Sequence, residues 1–153
     1  MALSYGFSIL LVVLLLSITI QDFRQMRIAD GLNAAVFISG ALYWLFARPD
    51  QLPFQIATAA AFGSALWMFR EAHKRSAGRV GLGLGDVKLS IAGSVWLNPA
   101  LLPFLLFTAS ASGLVFALAK SHTSGSTLRE TRIPFGPFLC LAILVCWLLE
   151  TTP

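Results

Sequence analysis

Charge is scarce in this sequence. Asp, Glu, Lys and Arg make up 12% of its 153 residues while apolar residues make up 57%, whereas soluble domains carry roughly 25% charged residues. A water-soluble fold of this size has too little interior to hide so much apolar surface, which excludes the soluble globular classes. Cysteine is nearly missing as well. Cys140 and Cys146 lie in one apolar run, about 600° apart around a helix, so they share no face and read as packing residues rather than as a disulfide or metal ligands. No Cys-x-x-Cys or His-Glu-x-x-His spacing occurs. His73 and His122 sit in basic stretches without an acidic or thiol partner and read as solvated loop residues. Neither a metal nor another cofactor is therefore expected. The net charge of +4 comes from residues scattered between apolar runs. Without a basic arm it points to lipid and cytoplasm rather than to nucleic acid.

What the sequence has instead is apolar runs. The first, Leu3 to Ile20, is long enough to cross a bilayer at about 1.5 Å per residue. It lacks the basic leader and small-residue cleavage site of a secretory signal. Further runs at about 32–46, 54–69, 87–97, 99–119 and 134–149 predict an all-α, polytopic membrane protein with six transmembrane helices in one domain, 1–153. Asp30 or Asn33 is placed to cap the second helix, Pro53 to open the third and Asn98-Pro99 to open the fifth. The fourth run is too short to span about 30 Å of hydrocarbon and is expected to be recessed, tilted or re-entrant. Ten of the eleven Lys and Arg residues fall in the connections 1–2, 3–4 and 5–6, leaving Arg48 alone on the other face. The positive-inside rule makes the three basic connections cytoplasmic and puts both termini outside.

Against this apolar background one stretch stands out, Gly81-Leu82-Gly83-Leu84-Gly85-Asp86-Val87-Lys88. An ionisable residue at the edge of hydrocarbon is a functional candidate by default. In the six-span topology the first helix runs inward to Asp22 and the fourth runs outward from Asp86, so both carboxylates fall at the cytoplasmic boundary. Two carboxylates sharing one proton titrate as a pair and activate water against a peptide carbonyl, the chemistry of an aspartic protease. Helix direction favours Asp86, at an N-terminus, as the anion and base, and Asp22, at a C-terminus, as the holder of the shared proton. Gly81, Gly83 and Gly85 allow a tight turn and the close approach of an extended substrate backbone.

The residues now carry a family likeness. Gly83-Leu84-Gly85-Asp86-Val87-Lys88 resembles the GxGDxK motif of the type IV prepilin peptidases, which are GxGD-type intramembrane aspartyl proteases. Asp22 to Asn33 is similar to that family's first catalytic segment, and Ile133-Pro134-Phe135-Gly136-Pro137 to its IPFGP signature. The resemblance implies that Asp22 and Asp86 are the catalytic pair and that Gly83 and Gly85 shape the site. It also implies cleavage of a short basic leader from type IV pilin-like precursors, at the cytoplasmic face of the bacterial inner membrane. Ala29 stands where the family usually has proline, which loosens the start of the second helix. The sequence opens directly on the first helix without the zinc-type cysteines of bifunctional members. This resembles the short, peptidase-only members of tight-adherence systems and puts N-methylation in doubt.

Lys88 and Asp30 complete the candidate site as substrate-contacting or shaping residues. By geometry, Lys88 points roughly 200° away from Asp86 and reads as a snorkelling anchor, and Asp30 as a helix cap. Arg24, Arg27, Arg79 and Lys120 read as orientation determinants. Trp44, Trp67, Trp96 and Trp147 read as lipid contacts or interfacial belts, and Ala57, Ala61, Ala65, Ala109 and Gly113 as small residues for close helix packing. Two rival functions stay open: a proton- or cation-coupled transporter, and an inactive pilin-binding assembly factor. Transporter sites usually lie near the bilayer midplane, not at helix ends.

Overall fold

The computed structural model describes residues 2–77, 81–124 and 134–151. Arg79, Arg129, Arg132 and Ile133 lie outside the described residues. Among the described residues the regular structure is all helical: α1 (Ala2–Gln25), α2 (Asp30–Ala47), α3 (Leu52–Ala77), α4 (Leu84–Ser94), α5 (Leu102–Ser124) and α6 (Gly136–Thr151), with 3-10 turns at Pro49–Gln51 and Pro99–Leu101 leading into α3 and α5. Four segments, Ser4–Gln25, Asp30–Ala47, Pro49–Ser76 and Pro99–His122, are long and apolar enough to cross a membrane, while α6 is apolar but shorter. The protein is a polytopic helical membrane protein.

The short helix is the central one. α4 packs against α2, α3 and α6, α1 against α2 and α6, and α5 against α6. Val87, Leu89, Ser90, Ala92, Gly93 and Ser94 are all buried, so α4 is apolar around most of its circumference, as a helix walled in by others must be. Close approach is bought with glycine: a Cβ on Gly63 of α3 would collide with Ile91, and one on Gly93 with Ile143 of α6. The small-residue face of α3 is thus Ala59 and Gly63, and the expected trio Ala57, Ala61 and Ala65 is exposed. Both sets are spaced by four residues, and hydropathy cannot tell which stripe meets a neighbour. Ala109 and Gly113 of α5 are buried as expected.

Three tryptophans correct the expectation of a lipid-facing belt. Trp44, Trp96 and Trp147 are core residues, and only Trp67 is exposed. Each buried indole N–H has an acceptor on another element: Trp44 donates to the Val95 carbonyl at 2.7 Å, Trp96 to the Val36 carbonyl at 2.9 Å and Trp147 to Ser8 Oγ at 3.0 Å. α4 ends inside the bundle, and Val95 is its C-cap, so Trp44 satisfies a carbonyl that the helix leaves unpaired. Tyr43 stacks on Trp96, and Trp147 meets both rings edge-on. Cys140 and Cys146 are free and buried in the same core.

The helix ends also differ from expectation. α1 runs past Ile20 to Gln25, α3 runs past Phe69 to Ala77, and α4 starts at Leu84 and stops at Ser94. Polar residues that leave the hydrocarbon need not leave the helix, so hydropathy marks a membrane boundary rather than a helix terminus. His73 and His122 accordingly sit on α3 and α5, not in loops. Asn98 does cap the 3-10 turn, accepting from Ala100 N at 3.0 Å.

Candidate active site

The last turns of α1 carry Asp22, and the first turn of α4 carries Asp86. Gly83 is the N-cap residue of α4, which makes Asp86 the third helical residue, where an acidic side chain can reach back to the N-cap amide. It folds back in that direction: the Asp86 carboxylate lies against the Gly83 backbone N–H. A Cβ on Gly83 would lie 2.8 Å from Asp86 Oδ2, so this folded-back carboxylate requires glycine there. Gly85 is less constrained, since its Cβ would make ordinary contact with Ile28 at 3.4 Å.

Asp22 is buried and is held by a different helix. Gly136 N, at the start of α6, donates to Asp22 Oδ2 at 3.0 Å. A Cβ on Gly136 would lie 2.7 Å from that same oxygen and 3.1 Å from Ile28 Cδ1. The Pro134–Pro137 segment thus has a physical task that its likeness to a signature did not reveal, which is to bring a bare amide and the positive end of α6 onto a buried carboxylate. Asp22 therefore faces a helix N-terminus as Asp86 does. The expected asymmetry, with Asp22 alone at a negative helix end, omits α6.

Both carboxylates line one cavity of about 440 Å³, together with Met26, Ile28, Gly83 and Phe135. Its walls come from all three segments singled out in the sequence. A second, more apolar cavity of about 740 Å³ adjoins it between α3 and α5; Asp86, Gly81 and Phe135 line both, and Phe62, Phe69 and Arg70 belong to the second. No group of three or more His, Cys, Asp or Glu residues suited to a metal occurs among the described residues.

Asp30 and Lys88 sit to one side. Asp30 is the first residue of α2, whose N-cap is Ala29 with no side-chain cap bond. Asp30 therefore does not cap the helix; its Oδ1 instead accepts from Lys88 Nζ at 2.6 Å, tying α2 to α4. Asn33 does not cap it either, being buried with its amide unbonded. The φ of −68° at Ala29 is one that proline would also adopt, so the departure at this position leaves the backbone path intact.

Sequence reasoning missed Gly136, Ile28 and Arg70. Ile28 fills the space between Gly85 and Gly136, and its signal was its place in the Asp22–Asn33 segment. Arg70 Nε donates to the Leu82 carbonyl at 2.9 Å; nothing in a run of basic residues distinguishes it from its neighbours.

Residues 9–118 match the model of the type IV leader peptidase family. The chain is 30% identical over 139 residues to a prepilin leader peptidase/N-methyltransferase of Legionella pneumophila, covering 91% of this chain and 48% of that protein. It is 32% identical over 136 residues to a protein of the same description from Pectobacterium carotovorum subsp. carotovorum, covering 88% and 48%. A third, from Escherichia coli K12, is 29% identical over 135 residues, covering 85% and 57%. The chain thus spans about half the length of the curated relatives it matches. No solved structure matches it. A family match over residues 9–118, which takes in both carboxylates and the glycine turn, together with these relatives, means that the chain belongs to the type IV leader peptidase family.

Proposed function

We propose that this protein is a membrane aspartyl endopeptidase that removes the basic leader from type IV pilin-like precursors. Asp22 and Asp86 are its acid and base, and the site faces the cytoplasm across the bacterial inner membrane. The observation that carries this reading is that two carboxylates from distant helices line one cavity, Asp22 accepting the Gly136 N–H at one helix N-terminus and Asp86 lying against the Gly83 backbone at another. Two like charges in one low-dielectric cavity favour a state with a single shared proton.

In that state the ionised carboxylate takes a proton from water as its oxygen bonds to the scissile carbonyl carbon, and the protonated one gives its proton to the carbonyl oxygen. The gem-diol then collapses: the carboxyl that took the water proton gives it to the nitrogen, the other carboxylate takes a proton back from a gem-diol hydroxyl, the C–N bond breaks, and the amine leaves while the new carboxyl remains on the leader. No metal is needed, since every proton transfer is made by the two side chains. The second, apolar cavity meets the first at Asp86 and suits the hydrophobic stretch that follows the cleaved bond, while the first suits the polar leader.

Co-expression of the full chain with a pilin-like precursor, followed by sequencing of the new precursor N-terminus, tests the reading. Cleavage just before the hydrophobic stretch is expected. Asp22→Asn and Asp86→Asn should each insert into the membrane yet lower processing by about 10²- to 10⁴-fold. Full activity of either variant removes that residue from the mechanism. Ion-dependent transport in liposomes without any cleavage would favour the transporter, and binding of the precursor without cleavage would favour the assembly factor.

A further inference from the structure

A single peptide plane separates Arg70 from Asp86. The Leu82 carbonyl and the Gly83 amide belong to the same peptide unit. On one side Arg70 Nε, from α3, donates to the carbonyl oxygen at 2.9 Å. On the other, the Gly83 N–H faces the Asp86 carboxylate, whose Oδ2 lies so close that a Cβ on Gly83 would stand 2.8 Å from it. We infer that Arg70 is a positioning residue for Asp86: it fixes the Leu82–Gly83 peptide so that its N–H is aimed at the carboxylate, and its positive charge polarises that N–H. This rests on the reading of Asp86 as a catalytic carboxylate.

Three physical points support it. A peptide unit is planar, so fixing its oxygen largely fixes the direction of its N–H. A hydrogen bond from a cation is about twice as strong as one between neutral groups, and bonds in series strengthen one another. The turn also needs such an anchor: three glycines in five residues leave 81–85 with little intrinsic stiffness. α3 supplies a second contact beside the first, because His73 packs against Gly81, where a Cβ would lie 2.8 Å from the imidazole Cδ2. Arg70 makes no ion pair among the described residues, so its charge is directed at the carbonyl rather than spent on a carboxylate. The competing view, that Arg70 merely anchors α3 at the membrane surface, requires none of this geometry.

The test has one reading without substrate and one with it. Leu82-Gly83 and Leu84-Gly85 are the only Leu-Gly pairs in the sequence. The full chain in detergent micelles, labelled with ¹³C-carbonyl leucine and ¹⁵N-glycine, therefore gives two carbonyl-correlated amide signals, and Asp86→Asn identifies that of Gly83 as the one that moves more. In Arg70→Met the Gly83 amide proton should move upfield while that of Gly85 stays, and Arg70→Lys should restore much of the shift. With a peptide spanning the leader and the first hydrophobic residues of a pilin-like precursor, Arg70→Met should lower kcat by about 10- to 100-fold, the range a charged hydrogen bond spans. KM should hold within about twofold, and Arg70→Lys should recover part of the rate. If Arg70→Met does not fold, Arg70→Gln, which keeps a neutral donor, is read in the same way with a smaller upfield shift. An unmoved Gly83 signal overturns the inference, as does a raised KM at unchanged kcat, which would put Arg70 on the substrate instead. If the unaltered chain cleaves nothing, the peptidase reading falls, and the substrate-free Gly83 signal still decides whether Arg70 sets this peptide.

Discussion

At one end of the bundle three indole N–H groups close on acceptors from neighbouring helices, and Tyr43, Trp96 and Trp147 fill the space between them. At the other end two carboxylates line an open cavity, Asp22 accepting the Gly136 N–H and Asp86 lying against the Gly83 backbone. Both ends solve the problem of placing polar groups away from water. The aromatic end does so with neutral pairs that leave each buried indole satisfied, and the result is rigid packing. The carboxylate end leaves acceptor capacity unused: a carboxylate can take about four hydrogen bonds, and no more than a single backbone N–H beside each leaves room for water and substrate. Stability and chemistry are therefore assigned to opposite ends of the same helices, and substitutions at the two ends should fail in different ways.

The largest effect on stability is expected at the aromatic end. Trp96 is fully buried and donates to Val36 in α2, and Gly40 makes room for it, since a Cβ there would lie 2.7 Å from its Nε1. Trp96→Ala should cost about 3 kcal/mol, the low end of the usual range because the unfolded helices keep their lipid contacts. Thermal unfolding in detergent measures the loss. Cleavage per folded molecule should stay within about twofold; a parallel collapse of activity would show that the two ends are not separable.

The converse substitution is Gly136→Ala. The methyl group would meet Asp22 Oδ2, the movable end of a side chain, at 2.7 Å, so the fold can survive while the carboxylate is displaced. Processing should fall by at least about 100-fold, equivalent to about 2.7 kcal/mol of transition-state stabilisation, with less than about 1 kcal/mol lost in unfolding. A variant that is unstable but fully active in its folded fraction would reverse the assignment.

How legible these ends were in the sequence follows from the range of the interactions that build them. The helices could be placed from apolar runs because hydropathy is a local property, and Asp22 and Asp86 stood out because a charge in an apolar chain is conspicuous. The aromatic end was misread. A tryptophan in a belt and one in a core look alike in one dimension, and what separates them is a carbonyl 51 or 60 residues away. Asp30 was misread for the opposite reason: its position suited a local cap, and a cation 58 residues away outcompeted it. The tasks of Gly136 and Arg70 were hidden because each acts through a backbone group, and backbone groups leave no mark in a sequence.

A smaller effect is expected where the carboxylate end stores strain. Met26 follows α1 with φ of 50°, the sole positive-φ residue other than glycine among the described residues, and it lines the cavity with Asp22. Its N–H closes the helix by donating to the Asp22 carbonyl at 2.8 Å, in a position where glycine is the usual choice. The left-handed conformation costs a residue with a Cβ about 1 kcal/mol, so Met26→Gly should raise unfolding stability by about that amount. An unchanged or lowered melting temperature would show that the Met26 side chain returns the cost through contacts in the cavity wall.

The smallest effect is expected at the ion pair beside the cavity. Lys88 and Asp30 meet at 2.6 Å, but their side chains are 49% and 74% exposed, and pairs in such surroundings contribute about 0–1 kcal/mol. Lys88→Met, Asp30→Asn and the double variant form a cycle that isolates the coupling, which should come out near 0.5 kcal/mol or below by unfolding in detergent at low salt and shrink as salt is added. Processing should hold within about threefold in all three variants, because the pair clamps the start of α2 to α4 on the flank of the site and neither residue lines the cavity that holds Asp22 and Asp86. A much larger fall in processing, with stability intact, would move Lys88 from the scaffold to the substrate side and extend the reactive end of the bundle beyond its two carboxylates.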